Sequence, residues 1–305
     1  MEFTNLEEPF SDKQKLDSFL YLQKYILEQS DKNNIFFIGR LSGNEPNLCG
    51  RILSGMELSE KLLFEMLTTA GIQFTSNDDL KQYVKEYHNA CINCSILSVW
   101  SGSMYMQAKP YYDLLQKIKP SYKSICAQAV EPYYFMDHPD YNLNSFFKNK
   151  KVLIITSHKE TTLKQIKNHS TIHRKPIFDD TTDFLIYKPV QQNGGNHDKQ
   201  SWNIHLNKMK QDLLDLQGKY DFDIALVSCG GFGMILSNYI FSHMKKSTIY
   251  VGGSLQLYFG IKGNRWNTHN IISKMINDKW CSVIEEDKPP SLSVKPHLCE
   301  NSCYW

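Results

Sequence analysis

Several features that would mark a special class of protein are missing from this sequence of 305 residues. The net charge is only +2, so the chain has no overall basic field to attract nucleic acid or an anionic membrane. The longest apolar runs, VLII and IALVSC, are far shorter than a membrane span, and the polar N-terminus MEFTNLEEPFSDKQ lacks the apolar core of a signal peptide. The eight cysteines lack the dense spacing of a secreted disulfide scaffold. These absences predict a cytoplasmic protein with no membrane span and no nucleic-acid partner.

The composition is that of a folded globular protein, with 41% hydrophobic and 12% aromatic residues. Short and nearly all-apolar segments alternate with helical patterns, and the candidate strands are IFFIG, YKSICAQAV, VLIIT, FDDTTDFLIYKPV, DIALVSC and STIYV. Strands without polar alternation are buried on both faces. The pattern therefore predicts an α/β fold with a Rossmann-like, mostly parallel sheet and helices on both faces.

Three segments are expected along the chain. Residues 1–30 contain an N-terminal helix capped by Ser11, and residues 31–286 form one α/β domain with possible halves 31–150 and 151–286. Residues 287–305 are proline-rich and are expected to be an irregular tail, whose Tyr304 and Trp305 dock on the body of the protein.

Chemically useful residues follow five of the predicted strands. In chain order they are Gly39-Arg40-Leu41-Ser42-Gly43-Asn44-Glu45, Glu131-Pro132-Tyr133, Ser157-His158-Lys159, Cys229-Gly230-Gly231-Phe232-Gly233 and the segment 252–266. In an open parallel sheet, ligands bind outside the carboxyl ends of the strands. These segments are therefore expected to meet at one site.

The turn Gly230-Gly231-Phe232-Gly233 lies between a predicted strand and a predicted helix. Glycines at such a position allow close approach of the backbone, and the helix start offers N–H groups to an anion. The dinucleotide fingerprint is incomplete, because Leu236 stands where its third glycine would fall and no acidic residue lies about twenty positions further on. The alternative is a turn that needs glycine only for packing.

The segment 252–266, GGSLQLYFGIKGNRW, contains four glycines, Lys262 and Arg265, and no carboxylate. Glycine amides and two cations suit a diphosphate, whose charge they would neutralise. The rings of Tyr258 or Trp266 suit a base or the face of a sugar. The alternative is a solvated surface loop whose charges have no ligand.

Three residues are candidates for catalysis. Glu45 is the first candidate for a base or a metal ligand, although a glutamate beside Pro46 also suits the first turn of a helix. Glu131 is the second candidate. His158 lies at a strand end, where it and Arg40 would contact phosphate or acceptor, but a lone histidine is more often structural.

The cysteine pairs Cys91–Cys94 and Cys299–Cys303 offer a further alternative, a four-thiolate zinc site. The first pair lies in a predicted helix and the second has an irregular spacing. Unpaired thiols are therefore the favoured interpretation.

Taken in order, these motifs resemble the GT-D-type glycosyltransferases, a group first described as a domain of unknown function. An IGR-x-x-x-x-E turn is matched by Ile38-Gly39-Arg40 and Glu45, an EPYY segment by Glu131-Pro132-Tyr133-Tyr134, and a K-x-VLII strand by Lys150 to Ile155. The most specific motif, GG-x-x-Q-x-x-FGI-x-G-x-RW, is matched by Gly252, Gly253, Gln256, Phe259, Gly260, Ile261, Gly263, Arg265 and Trp266. The resemblance covers roughly residues 30–266.

The resemblance implies a glycosyltransferase that moves a sugar from a nucleotide-diphosphate donor to a glycan or other hydroxyl acceptor. It also implies Mn²⁺ or Mg²⁺ near a D-x-E motif after the first strand. Here the motif is Gly43-Asn44-Glu45, so only Glu45 matches as a metal ligand, and Lys262 and Arg265 would have to neutralise the leaving diphosphate. The alternatives are a non-catalytic relative that binds a sugar nucleotide or glycan, and a different nucleotide-dependent transferase such as a methyltransferase.

The expected site combines the strand ends with the motifs of the resemblance. Catalysis is assigned to Glu45, Glu131 and His158. The donor is expected to contact Gly39, Arg40, Ser42, Gly43, Asn44, Ser157, Lys159, Gly230, Gly231, Gly233, Gly252, Gly253, Gln256, Lys262, Arg265 and Trp266.

Overall fold

The computed structural model describes residues 6–120, 123–289 and 304–305. Seven strands form one all-parallel sheet in the order β3-β2-β1-β7-β6-β4-β5. These strands are β1 (Phe37–Arg40), β2 (Ile96–Val99), β3 (Ser124–Cys126), β4 (Lys151–Thr156), β5 (Asp183–Tyr187), β6 (Ile224–Ser228) and β7 (Ser247–Tyr250). The short strands β8 (Ile261–Lys262) and β9 (Cys281–Ser282) pair separately.

Helices cover both faces of the large sheet, which confirms the predicted Rossmann-like α/β fold. Their bounds are α1 (Asp12–Asp31), α2 (Asn44–Leu53), α3 (Glu60–Thr68), α4 (Asn77–Asn93), α5 (Ser103–Ile118), α6 (Lys159–Gln165), α7 (Trp202–Lys219), α8 (Gly233–Ser242), α9 (Leu255–Tyr258) and α10 (Asn264–Asn267). As predicted, Ser11 caps α1, and its side chain accepts a hydrogen bond from the backbone N–H of Gln14.

Two hydrophobic clusters lie on the two faces of the sheet, because successive side chains of a strand point in opposite directions. On β4, Leu153 and Ile155 belong to the first cluster, whereas Val152 and Ile154 belong to the second. The first cluster also contains side chains from α2, α4, α5, α7 and α8. The second contains side chains from α1 and α9, together with Trp305. The predicted docking of Trp305 on the body of the protein is thus confirmed.

The centre of the sheet determines where a ligand can bind. Strand β1 pairs with β2 on one side and β7 on the other. The chain leaves β1 for α2, which packs in the first cluster, and leaves β7 for α9, which packs in the second. Connections to opposite faces open a crevice between the carboxyl ends of two neighbouring strands. The structure therefore places the crevice beside Arg40 and Val251.

The observed strands differ from the predicted ones at β2, β3 and β5. Strand β2 was not predicted, because its four buried residues are too few to show a periodicity. The predicted strand YKSICAQAV is extended only over Ser124–Cys126, and Ala127–Val130 form a 3₁₀ turn. The predicted strand FDDTTDFLIYKPV is extended only over Asp183–Tyr187. Strands β3 and β5 end where their pairing with β2 and β4 ends. The sequence of the strand alone does not show where this pairing stops.

Within the described ranges, no helix combines the length and the apolar character needed to cross a membrane.

Candidate functional site

A cavity of about 650 Å³ opens at the carboxyl ends of the central strands. Most of the predicted site residues line it, and these are Arg40, Ser42, Gly43, Asn44, Glu45, Glu131, Ser157, His158, Gly230, Gly252, Gly253, Gln256, Arg265 and Trp266. They come from five separate segments of the chain. The crevice of the parallel sheet thus brings together residues that lie far apart in sequence.

Five predicted site residues are not part of the cavity lining, namely Gly39, Lys159, Gly231, Gly233 and Lys262. Lys159 begins α6, and its ammonium lies 3.9 Å from the carboxylate of Glu160. Lys262 lies in β8, where it pairs with Ser282 of β9. Of the two cations in the segment 252–266, only Arg265 therefore reaches the cavity.

The glycine turn after β6 is occupied by protein groups. A Cβ added to Gly231 would lie 2.5 Å from the Ile72 side chain, and one added to Gly233 would lie 1.9 Å from the Tyr250 ring. The backbone N–H of Gly231 donates to the carbonyl of Ala70 at 2.8 Å. The structure therefore supports the packing explanation for Gly231 and Gly233, because protein groups fill the space beside these two glycines, whereas Gly230 of the same turn lines the cavity.

Gly39 has a similar role within β1. A Cβ at this position would lie 2.4 Å from the Cys94 sulfur and 2.8 Å from the Met234 side chain. The glycine allows α4 and α8 to pack closely on the sheet, and it makes no contact with the cavity.

Replacing Gly233 with alanine is expected to lower the free energy of unfolding by about 1–3 kcal/mol, because the new methyl group would overlap the Tyr250 ring. Gly218 in α7 is the matched control, since a Cβ there has no atom within 4 Å. Gly218→Ala should leave stability unchanged or raise it by up to about 1 kcal/mol, because alanine is the better helix former. Urea denaturation of the two variants measures these changes. If Gly233→Ala were as stable as Gly218→Ala, the space beside Gly233 would be large enough for a methyl group.

Arg40 and Glu131 form a buried ion pair in the cavity wall. Arg40 also donates to the carbonyl of Val251 and, at 2.9 Å, to the hydroxyl of Ser254. Burial lowers the pKa of Arg40, but the charge and hydrogen bond of Glu131, together with smaller contributions from Tyr133 and Tyr250, outweigh burial, so the pKa is raised. Both residues are thus engaged by protein groups, and their charges compensate each other beside the carboxyl ends of β1, β3 and β7.

Glu45, in the first turn of α2, is only 5% exposed. Its carboxylate accepts a hydrogen bond from the hydroxyl of Ser42. Burial raises the pKa of Glu45, and the Ser42 hydrogen bond offsets part of this effect. A carboxyl group whose pKa is raised towards neutral pH suits a general base better than an ordinary surface carboxylate does.

Glu45 is the residue that the sequence predicts as a metal ligand. Across residues 6–120, 123–289 and 304–305, no three His, Cys, Asp or Glu side chains come together to hold a cation. Glu131, which also lines the cavity, is paired with Arg40. Of the alternative zinc ligands, Cys91 and Cys94 are buried thiols, and Cys299 and Cys303 lie outside the described residues.

His158 lies two residues after the end of β4 and is only 5% exposed. Burial lowers the pKa of His158 to about 4, so the imidazole is neutral at neutral pH. Its ring lies 6.1 Å, centre to centre, from the ring of Trp305. A neutral imidazole contributes a hydrogen-bonding group to the site but no positive charge.

Several cavity residues were missed by reasoning from strand ends. They are mostly aromatic or amide side chains, including Trp100, Gln128, Tyr134, Gln191, Gln192, Tyr250, Tyr304 and Trp305. Trp100 directly follows β2, so recognition of that strand would have pointed to it. Gln128 lies in a 3₁₀ turn and Gln191 and Gln192 lie in an irregular segment, and no sequence pattern marks such residues as cavity-lining.

The fold and the site define an α/β protein with a pocket at the carboxyl edge of a parallel sheet, of a volume typical for small-molecule ligands. The described residues that line this pocket provide carboxylates, the exposed Arg265, amides and aromatic rings. No family model, no curated protein and no solved structure matches the chain.

Proposed function

We propose that the protein is a glycosyltransferase, which moves a sugar from a nucleotide-diphosphate donor to a glycan or other hydroxyl acceptor. The observation that carries the proposal is the convergence of five strand-end segments, all singled out from the sequence, on one cavity of about 650 Å³. A pocket of this size accommodates a ligand as large as a nucleotide sugar.

The lining offers a group for each part of such a donor. Arg265 supplies the positive charge that a diphosphate requires. The rings of Trp100, Tyr134 and Trp266 offer flat surfaces against which a base or a sugar can stack. Glu45 is the candidate base that accepts the proton of the acceptor hydroxyl. Arg40 is buried and paired with Glu131, whereas Arg265 is exposed, so Arg265 is the cation that we expect to contact the diphosphate.

One observation favours a non-catalytic protein that binds sugar nucleotides as the second candidate. Among the described residues, Glu45 and Glu131 are the carboxylates that line the cavity, and Glu131 is held in an ion pair, which leaves Glu45 for chemistry. Hydrolysis of the donor that stays at background with Mn²⁺ or Mg²⁺ and a range of acceptors would support this candidate over the enzyme.

A cytoplasmic location is part of the proposal. The six cysteines within the described ranges are all unpaired thiols, and four of them are buried. Unpaired thiols are typical of proteins kept in a reducing compartment.

Replacing Arg265 with alanine is expected to weaken binding of UDP or GDP by about 2 kcal/mol, roughly 30-fold, because a charged hydrogen bond to the diphosphate is lost. Lys262→Ala is the matched control, since Lys262 lies in the same segment but outside the cavity, and it should change affinity by less than about twofold. Isothermal titration calorimetry measures both variants. S-adenosyl-homocysteine serves as the competing ligand class, and its binding in place of UDP and GDP would refute the proposal in favour of a methyltransferase.

A further inference from the structure

Tyr304 and Trp305 form one wall of the cavity. Trp305 is only 7% exposed, and its carbonyl accepts a hydrogen bond from the backbone N–H of Asn264 at 3.2 Å. The centre of its ring lies 6.1 Å from the centre of the His158 ring. The last two residues are therefore anchored to segments that follow β4 and β8.

Tyr304 contacts two residues that are expected to bind the donor. A Cβ added to Gly253 would lie 2.2 Å from the Tyr304 ring, so the ring occupies the space that a side chain at this position would need. The guanidinium of Arg265 lies over the Tyr304 ring, 4.9 Å from its centre, and Nη1 of Arg265 lies 3.4 Å from the Tyr304 hydroxyl. Arg265 is also 5.7 Å from the centre of the Trp266 ring.

We propose that Tyr304 is a positioning residue, which holds the guanidinium of Arg265 at the edge of the cavity for the diphosphate of the donor. The inference rests on the proposed function. An arginine on the surface samples many rotamers, and each must be given up when the side chain binds an anion. Stacking on the Tyr304 ring restricts Arg265 before the ligand arrives, so less conformational entropy is lost on binding.

Tyr304 and Trp305 form part of the cavity wall and do not fill the cavity. The cavity of about 650 Å³ is the space that remains with Tyr304 and Trp305 in place. Trp305 belongs to the second hydrophobic cluster, so its removal from the body would expose a large apolar surface to water. Ligand binding therefore does not require the pair to leave.

The test is a double-mutant cycle on Tyr304 and Arg265, read by calorimetry with UDP, GDP and inorganic pyrophosphate as probes. Tyr304→Ala should weaken binding of UDP or GDP about tenfold, whereas Tyr304→Phe, which keeps the ring, should stay within about twofold of the wild type. In the Arg265→Ala background, Tyr304→Ala should have no further effect on affinity. Thermal unfolding of each variant verifies that the fold is retained.

The outcomes separate this inference from the proposed function. If Arg265→Ala weakens UDP or GDP binding but Tyr304→Ala leaves it unchanged or strengthens it, the positioning role is refuted and the proposed function stands. An equal loss from Tyr304→Ala with and without Arg265 also refutes that role. If only pyrophosphate binds and shows the predicted non-additivity, the positioning role stands and the nucleotide-sugar donor is refuted. Absence of binding by all three probes refutes both.

Discussion

Replacing Arg40 with alanine is expected to lower the free energy of unfolding by about 3–5 kcal/mol, because it leaves the Glu131 carboxylate buried without its positive partner. The side chains of Arg40 and Glu131 are only 10% and 8% exposed, so the Glu131 carboxylate would be poorly solvated without its partner. The carbonyl of Val251 and the hydroxyl of Ser254 lose a donor in the same variant. Urea denaturation measures the loss.

Two comparisons make this prediction specific. Lys159→Ala breaks an exposed pair with Glu160, whose side chains are 39% and 46% exposed, and should cost less than about 0.5 kcal/mol. The double replacement Arg40→Met with Glu131→Leu removes both charges and should recover most of the stability lost by Arg40→Ala. A loss below about 1 kcal/mol for Arg40→Ala would contradict the buried ion pair.

Under the proposed function, replacing Glu45 with glutamine is expected to lower donor turnover at least about 100-fold, because the amide cannot accept a proton from the acceptor hydroxyl. Glutamine has nearly the same shape, so binding of UDP or GDP should change little. Initial rates measured with the donor and its acceptor, or with water as acceptor, provide the test. Glu60→Gln, at an exposed position in the first turn of α3, is the control and should keep full activity. Full activity of Glu45→Gln would exclude Glu45 as the base.

The same replacement should raise stability at neutral pH. The pKa of Glu45 is raised by burial above its ordinary value of 4.5, so the folded protein holds this proton more tightly than the unfolded chain does. Between the ordinary pKa and the raised pKa of Glu45, the free energy of unfolding of the wild type falls as pH rises. Above the raised pKa it falls no further. The stability gained by Glu45→Gln should therefore be largest at neutral pH and should vanish below about pH 4. If the difference in free energy of unfolding between Glu45→Gln and the wild type were the same at about pH 4 and at neutral pH, the raised pKa of Glu45 would be contradicted.

Much of the fold could be predicted from the sequence because it depends on local patterns. Apolar segments such as VLIIT and IALVSC are buried on both faces whatever their neighbours are, so they indicated a parallel sheet. The parallel sheet in turn indicated where ligand-binding residues lie, at the ends of its strands. The strand-end rule alone therefore predicts that Glu45, His158 and Arg265 lie near one another.

Other parts of the site depended on long-range contacts that no local pattern records. Arg40 and Glu131 are 91 residues apart, and only the pairing of β1, β2 and β3 brings them together as partners. Gly231 and Gly233 were expected to bind phosphate, because a glycine turn looks the same whether a ligand or a tyrosine ring fills the space beside it.

The sequence by itself determined the α/β architecture, the order of the candidate segments along the chain and the cap of α1, since each follows from periodicity or from a few neighbouring residues. Only the tertiary structure decided which of these segments face the cavity: it placed Arg265 at the cavity and Lys262 away from it, and it brought in Tyr304 and Trp305. The physical reason is that burial and charge compensation arise between residues distant in sequence, so they exist only once the chain has packed.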